Sequence, residues 1–399
     1  MSLNVSLKSD SLNFNLDATP LSKIYLDVDN NLTLETDNEI NYYSDSNIIS
    51  IINEPFEVNS LLTLNIDSDG NQSLNFKTKN PKNYWGRLYL QNFIETNNLP
   101  EIKPWRGLVW SSEFNAFVGV SSSSTGTYNG VISTDGGNTW SSSLINVNDW
   151  RTLTYSPELL LFVAGGRGNG SGDEQFATSS DGVNWVYLNS PDDRNIGYIF
   201  WVPYLQLFVA ISDDGGTNAI FTSPDGVAWT TTTIVADVWT SYAFSNELGI
   251  ICIQSNNSTT GLYSYDAITW FTTTIPASNW RSGTWSPELN LFVICANAVG
   301  DPTMLSSDGI SWTPGTLTIQ NGWRIIEWIS DIGLFVMATS NGGFDSIIVY
   351  SVDGINWTIK DQSSIITTRP FTLAWSPKYK QFLTLSSSTG VDQVLRNSV

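Results

Sequence analysis

The chain has 399 residues, with 38 acidic against 18 basic side chains and a formal net charge of −20. Such a field repels phosphate backbones and anionic lipid surfaces, which excludes nucleic acid and bare membrane as partners. There is no histidine, so Ser-His-Asp, Cys-His and histidine-metal chemistries are excluded as well.

The first ten residues, MSLNVSLKSD, lack a basic segment followed by an apolar one, so no secretory signal is expected. Beyond them LNFNLD at 12–17, KIYLDVD at 23–29, NLTLET at 31–36 and SLLTLNID at 60–67 alternate apolar with polar residues, the period of half-buried strands. Asn- and Asp-rich strings, DNN at 29–31 and DSDGN at 67–71, supply the turns. DSDGN lacks the full spacing of a calcium loop, and neither a metal nor a cofactor is expected. All 17 tryptophans lie at or beyond Trp85. That shift predicts a small β-rich attachment or oligomerisation domain over 1–80 and a second domain over 81–399.

The second domain is repetitive, with a period of roughly 43 residues. One series is an aromatic residue, a Ser-Pro-Glu-like turn and an apolar strand: WSSEFNAF (110–117), YSPELLLF (155–162), WVPYLQLF (201–208), FSNELGII (244–251), WSPELNLF (285–292), WISDIGLF (328–335) and WSPKYKQF (375–382). The other is a turn closed by tryptophan: STDGGNTW (133–140), SSDGVNW (179–185), SPDGVAW (223–229), YDAITW (265–270), SSDGISW (306–312) and SVDGINW (351–357). Each period therefore reads as four strands joined by a tight turn, a loop and an Asp-Gly turn. A four-stranded meander cannot bury both faces alone, whereas copies stacked around an axis bury every face, which is the β-propeller arrangement. The fold expected is all-β, a seven-bladed β-propeller after a small β-rich domain, with six blades and a trailing hairpin as the alternative. The turn series lacks a seventh copy. DQVLRNSV at 392–399 resembles a third strand, so the missing fourth strand is expected from NYWGRLYLQ at 83–91, closing the ring by pairing the chain ends. Cys252 and Cys295 stand in short apolar runs and read as small buried hydrophobes.

The string Ser133 to Trp140 resembles a full Asp box, S-x-D-x-G-x-T-W, the hairpin of sialidases and other Asp-box propellers. Asp135 holds the aspartate position there. Asp181, Asp225, Asp308 and Asp353 hold it in copies one residue shorter, and Asp266 in a degenerate copy. The resemblance covers about 105–399 and implies a fold with these aspartates as structural turns, away from the ligand-binding face. Physics agrees: an aspartate two residues into a turn accepts backbone N–H bonds, glycine takes the positive φ, and tryptophan packs between blades.

Arginines follow a first-strand tryptophan in four repeats, Arg106, Arg151, Arg281 and Arg324. Four guanidiniums at one mouth of the channel would suit a carboxylate or sulfate. Stacking on the neighbouring tryptophan, or pairing with an acidic loop, is the plainer account of the same residues. A sialidase would also need a tyrosine nucleophile assisted by glutamate, and the family's F/Y-R-I-P motif is absent, its place being taken by PWRGL; Glu327 and Tyr198 are the residues nearest those roles. Loops such as SSSSTGTYNG (121–130) and SDDGGTN (212–218) vary most and should emerge opposite the Asp boxes, where recognition by glycan or protein is expected.

The composition and the order of domains resemble, in style, receptor-binding and decoration proteins of bacteriophages. The expected function is therefore a non-enzymatic virion protein of the tail-fibre, tail-tip or capsid-fibre type, a homo-oligomer located in the phage particle. Its N-terminal domain would bind other virion proteins and its propeller a host surface glycan or protein. The alternatives are a sialidase-like glycosidase and a cellular Asp-box assembly scaffold.

Overall fold

A computed structural model describes residues 99–168, 174–298, 303–315, 317, 322–339, 347–359, 370–386 and 394–397, together with strands between 3 and 96. The chain divides into two units, Met1–Trp85 and Gly86–Val399. In the first unit the described strands form two four-stranded sheets. One joins Ser11–Leu16, Leu3–Lys8, Ile40–Ser44 and Asn47–Ser50; the other joins Ile24–Leu26, Leu32–Leu34, Leu61–Ile66 and Gln72–Lys77. The four alternating segments of the sequence all contribute strands.

The second unit contains seven four-stranded sheets, the blades of a seven-bladed β-propeller. The first blade is typical, with strands Trp105–Ser111, Ala116–Ser121, Gly130–Ser133 and Ser141–Ser143 in sequential antiparallel order. Second strands such as Ala116–Ser121, Ile250–Ser255 and Leu334–Thr339 are buried at every residue. They lie in the middle of a blade that is covered on both faces, so they read as continuous apolar runs.

Seven apolar clusters make the core, and each spans two neighbouring blades. Phe117, Trp105 and Trp140 of the first blade pack with Leu383, Leu385 and Val394 of the seventh. Val118 and Val120 of the first meet Trp150, Phe162 and Ala177 of the second, and so on around the ring. First-strand tryptophans Trp105, Trp150, Trp239, Trp280 and Trp323 are among the largest fully buried side chains.

The Asp-Gly turns sit between third and fourth strands. In the second blade the Ser179 hydroxyl donates to Asp181 (3.0 Å) and accepts the Gly182 N–H (2.9 Å), while Asp181 accepts the N–H groups of Val183 and Asn184 (2.8 Å each). Asp225, Asp266, Asp308 and Asp353 repeat this pattern. In the longer first copy Asp135 accepts the Thr139 N–H (2.9 Å) and hydroxyl (2.6 Å). The degenerate copy keeps the geometry by placing Ala267 at φ 61°, where the others use glycines such as Gly182 at 70°. In five copies the turn tryptophan donates its indole N–H to a carbonyl three residues back, as Trp312 does to Gly309 (3.2 Å), while Trp185 donates to Ser143 Oγ of the preceding blade (2.8 Å).

The ring closes by pairing the chain ends, but with a different fourth strand from the one expected. Val394–Asn397 is the third strand of the seventh blade, and Phe93–Thr96, not 83–91, pairs with it. A strand ending at 96 leaves only a short connection to the first blade at Trp105, which favours it over a more distant segment. Residues 83–91 lie outside the described residues. The Trp105 N–H bonds to Ser386 O (3.1 Å), and the Tyr379 hydroxyl to Thr134 O (2.6 Å), both across the closure. Cys252 and Cys295 are free and buried; burial pushes the Cys295 thiol up to about 12.

Two outcomes follow from these contacts. Truncation after residue 390 removes the strand that ties Phe93–Thr96 to Gln381–Leu385, and thermal unfolding should become broad and shift to markedly lower temperature, read by far-UV circular dichroism. Burial disfavours the Asp181 carboxylate, but hydrogen bonds from Asn184, Val183 and Ser179 outweigh it and hold the group down at about 2. Its contribution is thus present above the ordinary aspartate range and lost as pH falls toward 2. Asp181→Ala should cost about 1–2 kcal/mol at pH 7 and less at pH 2.5, measured by urea unfolding.

Candidate functional site

In six blades the pairing of first and second strands slips by one residue just inside the start of the first strand. Trp105 pairs with Ser121 and Gly107 with Val120, so Arg106 is left over as a β-bulge. The equivalent surplus residues are Arg151, Gly197, Thr240, Arg281 and Arg324. In the seventh blade Pro370 bridges Ser386 and Ala374 pairs with Leu383, which leaves Phe371 in the same place. A bulge re-aims a side chain out of the strand alternation. Here it happens once per blade at the channel end of the strand, on the face opposite the Asp-box turns.

The consequence is a cavity of about 280 Å³ at one mouth of the channel. Arg106, Arg151, Arg281 and Arg324, singled out from the repeat, all line it, together with Arg167 and Asp213. Arg106 and Arg324 stack on opposite neighbours' common ring, their guanidinium carbons 4.3 and 4.0 Å from the centroid of Phe371. The aromatic partner is therefore the seventh bulge residue, not the adjoining tryptophan that the plainer account supposed. Arg106 Nε also donates to Ser122 Oγ (3.1 Å). Arg151 pairs with Asp149 (2.6 Å), and Arg281 makes no ion pair among the described residues.

Arg167 and Asp213 were not legible as site residues. Arg167 ends the second strand of the second blade and pairs with Asp213, which follows the second strand of the third. Gly197 makes room for this pair, since a Cβ there would lie 2.7 Å from Asp213 carbons. The signal lies in aligning the residues that follow the partner of the bulge-preceding position, Ser122, Arg167, Asp213 and Asn297, of which the last three line the mouth.

Electrostatics at the mouth is dominated by crowded cations. Burial, then Arg151 and Arg324, lower the Arg106 pKa to about 10, and burial also lowers that of Arg324. Arg167 is shifted the other way: burial opposes its charge, but Asp213 more than compensates. The buried Nε–H groups of Arg151, Arg167 and Arg281 have no hydrogen-bond partner among the described residues. Five guanidiniums facing one lining carboxylate among the described residues, with donors to spare, can hold an anion with planar oxygen pairs.

A deeper cavity of about 450 Å³ shares Arg106, Arg151, Arg281 and Arg324 and continues along the first strands past Tyr198, Tyr242 and Glu327 to the turn prolines Pro157 and Pro203. Glu327 and Tyr198, the residues nearest a sialidase's catalytic pair, thus line the same channel as the arginines. No hydrogen bond joins Glu327 to either phenol among the described residues. The Asp-box carboxylates lie on turns outside both cavities. No group of three histidine, cysteine, aspartate or glutamate residues able to hold a metal occurs among the described residues, and none of their helices is long and apolar enough to cross a membrane.

The geometry defines a propeller with a cationic channel mouth, and solved propellers share its fold. YCF48 bound to D1 peptide superposes with a TM-score of 0.55 at 12% identity, covering 77% of this chain and 94% of that one. A chain of the Mitotic Checkpoint Complex gives 0.59 at 12%, covering 78% and 92%. A catalytically inactive histidine-to-alanine form of virginiamycin B lyase from Staphylococcus aureus, with quinupristin, gives 0.62 at 10%, covering 77% and 99%. Neither a family model nor a curated protein matches the sequence. The likeness is one of fold, and it does not tie the chain to sialidases or to phage proteins in particular.

Phe371→Leu removes the ring that two guanidiniums share. It should destabilise the protein by about 1–2 kcal/mol in denaturant unfolding, with the loss partly recovered in sulfate, which replaces the ring as a partner for the crowded cations.

Proposed function

We propose that this protein is a non-catalytic binding propeller, a scaffold that captures a partner through a carboxylate seated at its arginine mouth. The observation that carries the reading is the convergence of Arg106, Arg151, Arg167, Arg281 and Arg324 on one cavity in which Asp213 is the one lining carboxylate among the described residues. A concave site with the field of several guanidiniums binds an anion better than an exposed loop does, because the surrounding protein weakens solvent screening. The partner proposed is a protein segment ending in, or presenting, a carboxylate; the like-folded YCF48 structure contains a bound peptide.

Catalysis is not part of this reading. The like-folded lyase has an inactive form in which a histidine is replaced, and this chain contains no histidine. A glycosidase of the sialidase type would need an activated tyrosine, whereas burial, then Glu327 and Tyr198, raise the Tyr242 pKa above its usual range. The virion-attachment reading draws on a small acidic β-domain placed before the propeller; the scaffold reading has the additional support of the peptide complex among like folds.

The test is an array of peptides with free C-terminal carboxylates against the same peptides amidated. Binding should favour the free acids, weaken with salt, and fall roughly 10- to 100-fold in Arg281→Gln, the loss of one charge-assisted contact. Equal binding of acids and amides, or turnover of a fluorogenic sialoside, would defeat the proposal.

A further inference from the structure

Glu327 has no role in anion capture. It lies three residues beyond Arg324 on the first strand of the sixth blade, Trp323–Ile329, about 10 Å deeper at ~3.3 Å per residue. The bulge at Arg324 shifts the alternation, so both residues line the channel despite their odd spacing. Glu327 is in no ion pair and no hydrogen bond among the described residues. A carboxylate in a channel is costly unless something compensates it.

An aromatic wall lines the same cavity. Tyr198 and Phe200 come from the third blade, Tyr242 and Phe244 from the fourth. Phe200 stacks on Tyr242 with centroids 4.0 Å apart and an interplanar angle of 8°, and on Phe244 at 5.8 Å; Tyr198 meets Tyr242 edge-on at 6.1 Å. Glu327 is close enough to the Tyr242 hydroxyl to oppose its ionisation. Aromatic faces carry negative potential and attract cations, most strongly ones with a weak hydration shell. A carboxylate with no ion pair or hydrogen bond among the described residues, beside stacked aromatic rings and about 10 Å along the strand from Arg324, in a cavity of about 450 Å³, has the donor set of an organic-cation site.

We infer that the channel interior binds an organic ammonium group between Glu327 and the wall formed by Tyr198, Phe200, Tyr242 and Phe244. The group is either a free quaternary ammonium or the side chain of a lysine carried on a peptide. This site does not require the arginine mouth to be occupied, and the two can fail separately.

Ionisation of Glu327 sets the pH dependence. Burial raises its pKa to about 7. Among the described residues the other titratable groups lining the cavity are Tyr155, Tyr198, Tyr242 and the bulge arginines Arg106, Arg151, Arg281 and Arg324. Burial puts Tyr155 at about 12 and Tyr242 above its usual range, so Glu327 is the group that changes charge near neutrality. A cation requires the ionised carboxylate, hence binding strengthens as pH rises through 7.

The experiment is isothermal titration calorimetry of the full-length protein with choline chloride and, separately, with Nα-acetyl-lysine amide. At least one should bind at pH 8.5 and about 30-fold more weakly at pH 5.5, following the ionised fraction. Glu327→Gln should abolish that binding and its pH dependence, and Tyr242→Leu should weaken it roughly 3- to 30-fold. Both variants should keep the wild-type preference for carboxylate-ended peptides, which reads the mouth independently. The ligand that binds more tightly identifies the source of the ammonium. If neither cation binds at pH 8.5, or if Glu327→Gln binds as well as the native protein, the inference is overturned.

Discussion

Apolar packing between blades is the constraint on which the rest of this propeller depends. A four-stranded sheet of this kind has two apolar faces and no core of its own, and each of the seven clusters takes side chains from two adjacent sheets. No blade can leave without exposing both flanking clusters. The ring must therefore close, and it does so by strand pairing between Val394–Asn397 and Phe93–Thr96, backed by the contact of Leu383, Leu385 and Val394 with Trp105 and Phe117. The Asp-box turns serve the same end. They hold a tryptophan against the preceding blade while their aspartates satisfy the backbone N–H groups that a tight turn leaves over.

The channel chemistry comes from a defect in that regular frame. One surplus residue stands at the equivalent position of each blade: four arginines, Gly197, Thr240 and Phe371, of which all but Thr240 line the mouth. Variation at these positions changes what lines the mouth without disturbing the strand register, because a bulge residue has no cross-strand partner of its own. Thr240 uses its position structurally, donating to Trp280 O of the next blade (2.8 Å). Phe371 serves as a shared ring between two cations, and Gly197 yields its place to the Arg167–Asp213 pair. Bulge residues thus divide into the arginines that line the mouth and the residues that make room or supply a partner for them.

Much of this was legible because it repeats. Tryptophan after every Asp-Gly turn, and arginine after a first-strand tryptophan, recur at equal intervals, and residues at one repeat position must lie at one radius and height. That reasoning brought Arg106, Arg151, Arg281 and Arg324 together correctly. It missed Arg167, Asp213 and Phe371, which stand at repeating positions but whose residue types occur there in single blades, so that only alignment of the strand register reveals them. It also misassigned the closing strand to 83–91, since NYWGRLYLQ alternates as convincingly as FIET at 93–96 and only the pairing register with Val394–Asn397 distinguishes them.

A propeller of seven or six blades and the sequential order of strands follow from residue spacing, because hydrophobic period and turn chemistry are local properties of the chain; that the turn aspartates lie away from the channel is implied by the resemblance to Asp-box propellers. Which side chains meet across the axis is a different matter. The partnership of Arg106 and Arg324 with Phe371, and the placement of Glu327 in one cavity with Tyr242, join residues far apart in the chain. Only closure of the ring brings them together, and their shifted ionisation arises from burial that closure creates.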